Sequence, residues 1–128
     1  MFNKSAEEKL ADYDQITDQI YLSGYKAPEI LEVLQEIMKI SAILNVTDTL
    51  EPAFPDKFRY KVIKVSDEET SNIQQHFRDC IAYISEVIAN KETILVHCVV
   101  GISRSASVVI AYIMYSQRIK LADAIRQV

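Results

Sequence analysis

Short apolar runs, separated by segments of helical periodicity, limit the fold of this chain more than any other feature. AILNVT (Ala42 to Thr47) and TILVHC (Thr93 to Cys98) are too short and too apolar for surface helices and read as buried strands. QIYLSG (Gln19 to Gly24) reads as a strand ending at a glycine, and YKVIKVS (Tyr60 to Ser66) as a strand rich in β-branched residues. Between them the period changes. Pro28 suits a first helical turn, and Ile30, Leu31, Leu34, Ile37 and Met38 follow at helical spacing. DTLEPAFPDKFR reads as a loop punctuated by two prolines. In the stretch Asp67 to Glu92, residues Ile73, Phe77, Cys80, Ile81, Ile84, Val87 and Ile88 form one apolar stripe, which predicts a long amphipathic helix. Ser105 to Tyr115 is apolar nearly all round and predicts a helix covered on several sides, with Tyr112 and Tyr115 packed. LADAIRQV adds a last helical piece. The alternation predicts an α/β fold: a single three-layer domain with a mostly parallel central sheet, helices on both faces, and a site at the carboxyl ends of the strands. Residues 1–14 read as an N-terminal extension of helical character, and residues 15–128 as the domain.

Totals narrow the class. With 128 residues, 49% hydrophobic and 25% charged, the chain has the composition of an ordinary globular domain. The net charge of −4 is not gathered into a basic face, so no nucleic-acid partner is expected. The apolar run Val108 to Tyr115 is too short to span a bilayer, and MFNKSAEEKLADYD carries no apolar signal segment; no membrane partner is expected. Two cysteines without a signal segment read as reduced thiols in the cytoplasm or nucleus. There is no CxxC, and His76 and His97 lack ligand spacing, so neither a metal nor another cofactor is expected.

The stretch VHCVVGISRSAS, Val96 to Ser107, carries the chemistry. A buried strand delivers Cys98 to a turn, and a helix starts at about Arg104. Between them lie Val99, Val100, Gly101, Ile102 and Ser103, a loop short enough to turn several backbone N–H groups inward as an anion nest, reinforced by the helix dipole. Gly101 supplies an unusual φ or room for close backbone approach. Arg104 offers a planar fork that matches two phosphate oxygens, and its place in a first helical turn opposes the dipole unless an anion is present. Cysteines at such positions ionise readily, so Cys98 is expected to act as a thiolate nucleophile beneath a bound phosphoryl group.

HCVVGISRS resembles the His-Cys-x-x-Gly-x-x-Arg-Ser signature of cysteine-dependent protein phosphatases, and the SRSAS ending is most similar to the dual-specificity branch, in a small atypical form. The likeness runs from about Gln15 to the last residue through ITDQIYLSG, AILNVTDT, YKVIKVSDEETSNI, the signature, and VVIAYIMYSQRIKLADAI. It implies hydrolysis of phosphotyrosine and phosphoserine or phosphothreonine in proteins through a phosphocysteine. It also implies that Asp67 is the general acid, that Ser105 helps the thiolate leave, that His97 supports the loop, and that Asn45 braces it. Relatives that act on inositol lipids carry basic residues where this loop has Val99 and Val100, so a phosphoprotein is the expected substrate. The family continues beyond the position of Val128 with a further helix. Its absence here predicts uncovered apolar surface, and low stability or a homodimer that covers the gap.

Other readings stand beside this one. A phosphatase-like module could bind phosphoproteins with weak or no turnover, although an intact Cys98 argues against it. The same loop also serves sulfur transfer and arsenate reduction, which Asp67 and Ser105 disfavour. Cys80, on the apolar stripe, reads as core filler, with a redox partnership to Cys98 as the lesser alternative.

Overall fold

The computed structural model describes residues 12–65, 73–99 and 103–128. Five strands form one sheet: β1 (Tyr13–Thr17), β2 (Ile20–Ser23), β3 (Ala42–Asn45), β4 (Arg59–Val62) and β5 (Ile94–His97), in the order β1-β2-β5-β3-β4. β1 runs antiparallel to β2, with an irregularity between Gln15 and Thr17. All other pairs are parallel, so the sheet is mostly parallel as expected. β1 takes in Tyr13 and Asp14, which the sequence reading assigned to a helical extension; residues 1–11 lie outside the described part.

Period-2 alternation sorts the strand residues between two cores. Ile20, Leu22, Ala42, Leu44, Val46, Ile94 and Val96 face one side. Helices α1 (Phe77–Ala89), α2 (Ser103–Gln117) and α3 (Leu121–Gln127) cover them with Cys80, Ile84, Val87, Val108, Val109, Tyr112, Ile113 and Ala124. Tyr21, Ile43 and Leu95 face the other side, under Ala27, Val33, Leu34, Met38, Ile40 and Phe58. Strands buried on both faces cannot alternate with polar residues, which is why β3 and β5 read as continuous apolar runs.

The second layer departs from the expected α-helix. A 3₁₀ turn at Ala27–Glu29 holds Pro28 in its first positions, and Val33–Met38 is a π-helix. With i to i+5 bonding, residues five apart stack on one side. Val33 therefore joins Leu34 and Met38 in the core, whereas Ile30, Leu31 and Ile37 are only partly buried. The long helix is also shorter than its stripe. Residues 73–76 form a 3₁₀ turn, and α1 starts only at Phe77. β4 ends at Val62 instead of Ser66. Tyr112 is buried as expected, but Tyr115 is 64% exposed and faces a surface groove.

Helices α1 and α2 and the π-helix close without glycine. Lys39, Lys91 and Arg118 take left-handed φ values of 55°, 60° and 53° at or just beyond their ends. After α1 the N–H of Lys91 donates to the Ile88 carbonyl at 3.0 Å and that of Glu92 to the Val87 carbonyl at 3.1 Å, the paired bonds that terminate a helix on a left-handed residue.

Candidate active site

The parallel strands end together. β2 ends at Ser23, β3 at Asn45 and β5 at His97, and the register pairs His97 with Ser23 on one side and Asn45 on the other. All three are polar and buried at 0%, 1% and 2% exposure. The next residue of β5's chain is Cys98, so the sheet hands the thiol to the region beyond its carboxyl edge, where doubly wound folds place their sites.

Cys98 is fully buried, and its amide N–H donates to the Ser23 carbonyl at 3.3 Å. Its Sγ lies 3.3 Å from the Oγ of Ser105, itself fully buried in the first turn of α2. Thiol and hydroxyl, seven residues apart in sequence, thus share one hydrogen bond at the start of a helix. Arg104, between them in the chain, is 2% exposed. Its Nη1 donates to the carbonyl of Val65. That contact ties the first turn of α2 to the segment that leaves β4. Asp67 follows two residues later but lies outside the described residues. So do Val100, Gly101, Ile102 and the side chain of Ser103, whose backbone opens α2.

His97 sits under this junction. Its Nδ1 donates to the Cys98 carbonyl oxygen at 3.4 Å. Burial holds the imidazole well below its ordinary value, at about 4, against the opposing pull of that hydrogen bond. A neutral ring suits support of the loop and not proton transfer near neutrality. Asn45 stands beside His97, but its Nδ2 donates to the Leu50 carbonyl at 2.8 Å. It braces the turn after β3, in which the Thr49 amide donates to Thr47 Oγ1 at 3.0 Å.

This is a thiol at a strand end, a hydroxyl on its sulfur, and a guanidinium in the adjoining helical turn. The family described as dual specificity phosphatase, catalytic domain, matches residues 20–128. The chain belongs to this family.

Relatives of this dual-specificity phosphatase domain include dual specificity protein phosphatase 1 of Arabidopsis thaliana, 38% identical over 88% of this chain and 57% of that protein. Human dual specificity protein phosphatase 7 is 41% identical over 86% of this chain and 26% of that protein. The domain thus spans little more than half of the first relative's length and about a quarter of the second's. Among solved structures, a human tyrosine phosphatase-like serine/threonine/tyrosine-interacting protein superposes with a TM-score of 0.83 at 31% identity, covering 92% of this chain and 82% of that one.

The other cysteine of the domain lies in the core. Cys80 is fully buried on α1, where burial first and then the nearby Asp79 carboxylate push its thiol up to about 12. A thiol so held is core filler and a poor redox partner. Sequence reasoning missed Ser23, Gly24 and Tyr25. The Tyr25 amide donates to the Val99 carbonyl at 3.1 Å, so this turn touches the start of the loop. The glycine at the end of the QIYLSG run was the one visible signal. Among the described residues no group of three His, Cys, Asp or Glu side chains is placed to hold a metal ion, and no described helix is long and apolar enough to cross a membrane.

Proposed function

We propose that the protein hydrolyses phosphate monoesters on phosphotyrosine, phosphoserine and phosphothreonine of proteins through a phosphocysteine on Cys98. The observation that carries this reading is the Cys98 Sγ to Ser105 Oγ contact of 3.3 Å at the first turn of α2.

In the first step the Cys98 thiolate attacks phosphorus in line, an S–P bond forms, and the P–O bond to the substrate breaks. The N–H groups of residues 99–104 and the Arg104 guanidinium hold the three equatorial oxygens as charge moves. Asp67 gives the leaving oxygen its proton. In the second step water attacks phosphorus and yields its proton to Asp67, and the S–P bond breaks to return the thiolate. The Ser105 hydroxyl, already on the sulfur, donates to that thiolate as it leaves. Arg104's hold on the Val65 carbonyl supports the role of Asp67, because it keeps the chain just before that residue at the signature loop. The side chains Val99 and Val100 support a singly phosphorylated protein side chain over a multiply charged lipid headgroup.

We also propose a reducing cytoplasm or nucleus, which the two free thiols support, and signalling phosphoproteins as substrates. The proposal also includes a homodimer, supported by exposed Tyr115, Leu121 and Ile125 around the α1–α2–α3 face. Turnover of an aryl phosphate tests the reaction. Cys98→Ser is expected to abolish it, Asp67→Ala to lower it at least 100-fold while retaining bound phosphopeptide, and Ser105→Ala to accumulate phosphocysteine. Equal rates for wild type and Cys98→Ser would overturn the proposal.

A further inference from the structure

The chain that leaves β2 is held on both sides. Ser23, fully buried, accepts from the Cys98 amide at 3.3 Å, and the Tyr25 amide donates to the Val99 carbonyl at 3.1 Å. Gly24, between them, passes so close to that carbonyl that a Cβ built on it would stand 2.9 Å from the oxygen. On the far side, Ala27 and Pro28 are buried in the 3₁₀ turn. Tyr25 and Lys26 are thus two exposed residues on a short span anchored at both ends.

Neither core takes the Tyr25 ring. Tyr13, Tyr21 and Tyr60 belong to the second core and Tyr83 and Tyr112 to the first, whereas Tyr25 is 45% exposed. With its backbone fixed beyond the end of β2 and its ring outside both layers, Tyr25 stands past the carboxyl edge of the sheet. That is the region that receives the Cys98 thiol. A single exposed tyrosine is ordinary surface. This one is bonded through its amide to the residue directly after Cys98, and the Nζ of Lys26 lies over its ring, 5.9 Å from the centroid. An ammonium over one face is attracted by the ring and restrains it, leaving the edge and the other face for a further group.

Cys98 is fully buried, so a phosphoryl group reaches its sulfur only at the end of a side chain whose stem passes the surrounding surface. On the β2 side the exposed described residues there are Tyr25 and Lys26. The stem of phosphotyrosine is an aromatic ring, and that of phosphoserine or phosphothreonine is a short alkyl group. Paired aromatic rings attract beyond the area they bury, and a short alkyl stem has no such contact to offer. We propose that Tyr25 is a specificity-determining residue that favours phosphotyrosine: its ring, steadied by the Lys26 ammonium, packs against the ring of the substrate. The proposal rests on the phosphatase reading in taking Cys98 as the group that meets the phosphate.

Matched peptides carrying phosphotyrosine or phosphothreonine at the same position test it through the ratio of their kcat/KM values. Tyr25→Ala is expected to lower that ratio about 5-fold, mainly through KM for the phosphotyrosine peptide, and Lys26→Met about 2-fold. Tyr25→Phe is expected to keep the wild-type ratio. An unchanged ratio in Tyr25→Ala, or an equal fall in Tyr25→Phe, would overturn the proposal. Tyr25→Leu retains apolar bulk and decides the matter should Tyr25→Ala fail to fold. Its ratio is expected to fall as well, and a wild-type ratio there refutes an aromatic contact.

Affinities of the same labelled peptides for Cys98→Ser, read by fluorescence anisotropy, separate this proposal from the hydrolase reading. A preference for phosphotyrosine that Tyr25→Ala removes, together with a wild type that turns over neither peptide, removes the hydrolase reading and leaves this one standing. Turnover of both peptides with a ratio indifferent to residue 25 does the reverse. Neither binding nor turnover of either peptide overturns both.

Discussion

Burial at His97 sets a pH sensitivity that a free histidine would not have. In the unfolded chain the ring takes up a proton below about 6.5, whereas in the fold it does so only near 4. Between those values the unfolded state binds more protons, so stability rises with pH. The contribution is complete above about 6.5 and is lost as pH falls toward 4, to the order of 3 kcal/mol. Glu29, Glu51 and Tyr60 line the small hollow that His97 borders. Desolvation outweighs the pull of the Cys98 carbonyl. Urea midpoints between pH 4 and 7 are expected to fall toward acid in wild type and to flatten in that window for His97→Gln. The signature could be read as a motif because it is contiguous in sequence, and the fold sets both His97 and Ser105 against Cys98. Gly24 could not, because its reason for being glycine is a contact with Val99, which only the sheet brings near.

Among the elements, the helix ends repay attention. The chain holds only two glycines, Gly24 and Gly101, and both belong to the region of the site. The helix ends make do with Lys39, Lys91 and Arg118 in the left-handed region. For a residue with a Cβ that conformation costs roughly 1 kcal/mol, so Lys91→Gly relieves strain while loosening the unfolded chain. A net gain of about 0.5 kcal/mol is expected, read as a higher urea midpoint with unchanged turnover; a lower midpoint contradicts it. Strands β2, β3 and β5 and helices α1 and α2 could be read from period, since burial on one or two faces imposes it. The π-helix could not. Its stripe passes for α-helical through Leu34 and Met38, and only the burial of Val33 betrays the longer repeat. β1 was hidden because an edge strand with exposed Asp14 and Gln15 leaves no apolar run.

At the scale of the molecule, the described helices share an exposed apolar face. A groove of about 520 Å³ is lined by Arg78, Ile81, Ala82, Ser85 and Tyr115. Another of about 190 Å³ runs between Phe77, Ile110, Met114 and Leu121. Leu121 and Ile125 stand 53% and 51% exposed on α3. Burying such surface is worth about 25 cal/mol per Å². If the proposed dimer forms through this face, Leu121→Glu with Ile125→Glu is expected to give a monomer in sedimentation equilibrium with phosphate affinity retained. A dimer that survives both changes places the contact elsewhere.

The strand order has a consequence in time. β1 and β2 form one half of the sheet and β3 and β4 the other, and β5 lies between them. During refolding the two halves have facing edges but nothing to join them until the late segment Ile94–His97 inserts. Such distant pairings are slow to close. The strand that leads to the proposed nucleophile is thus the one that makes the sheet whole, and on that proposal no species short of that closure binds phosphate.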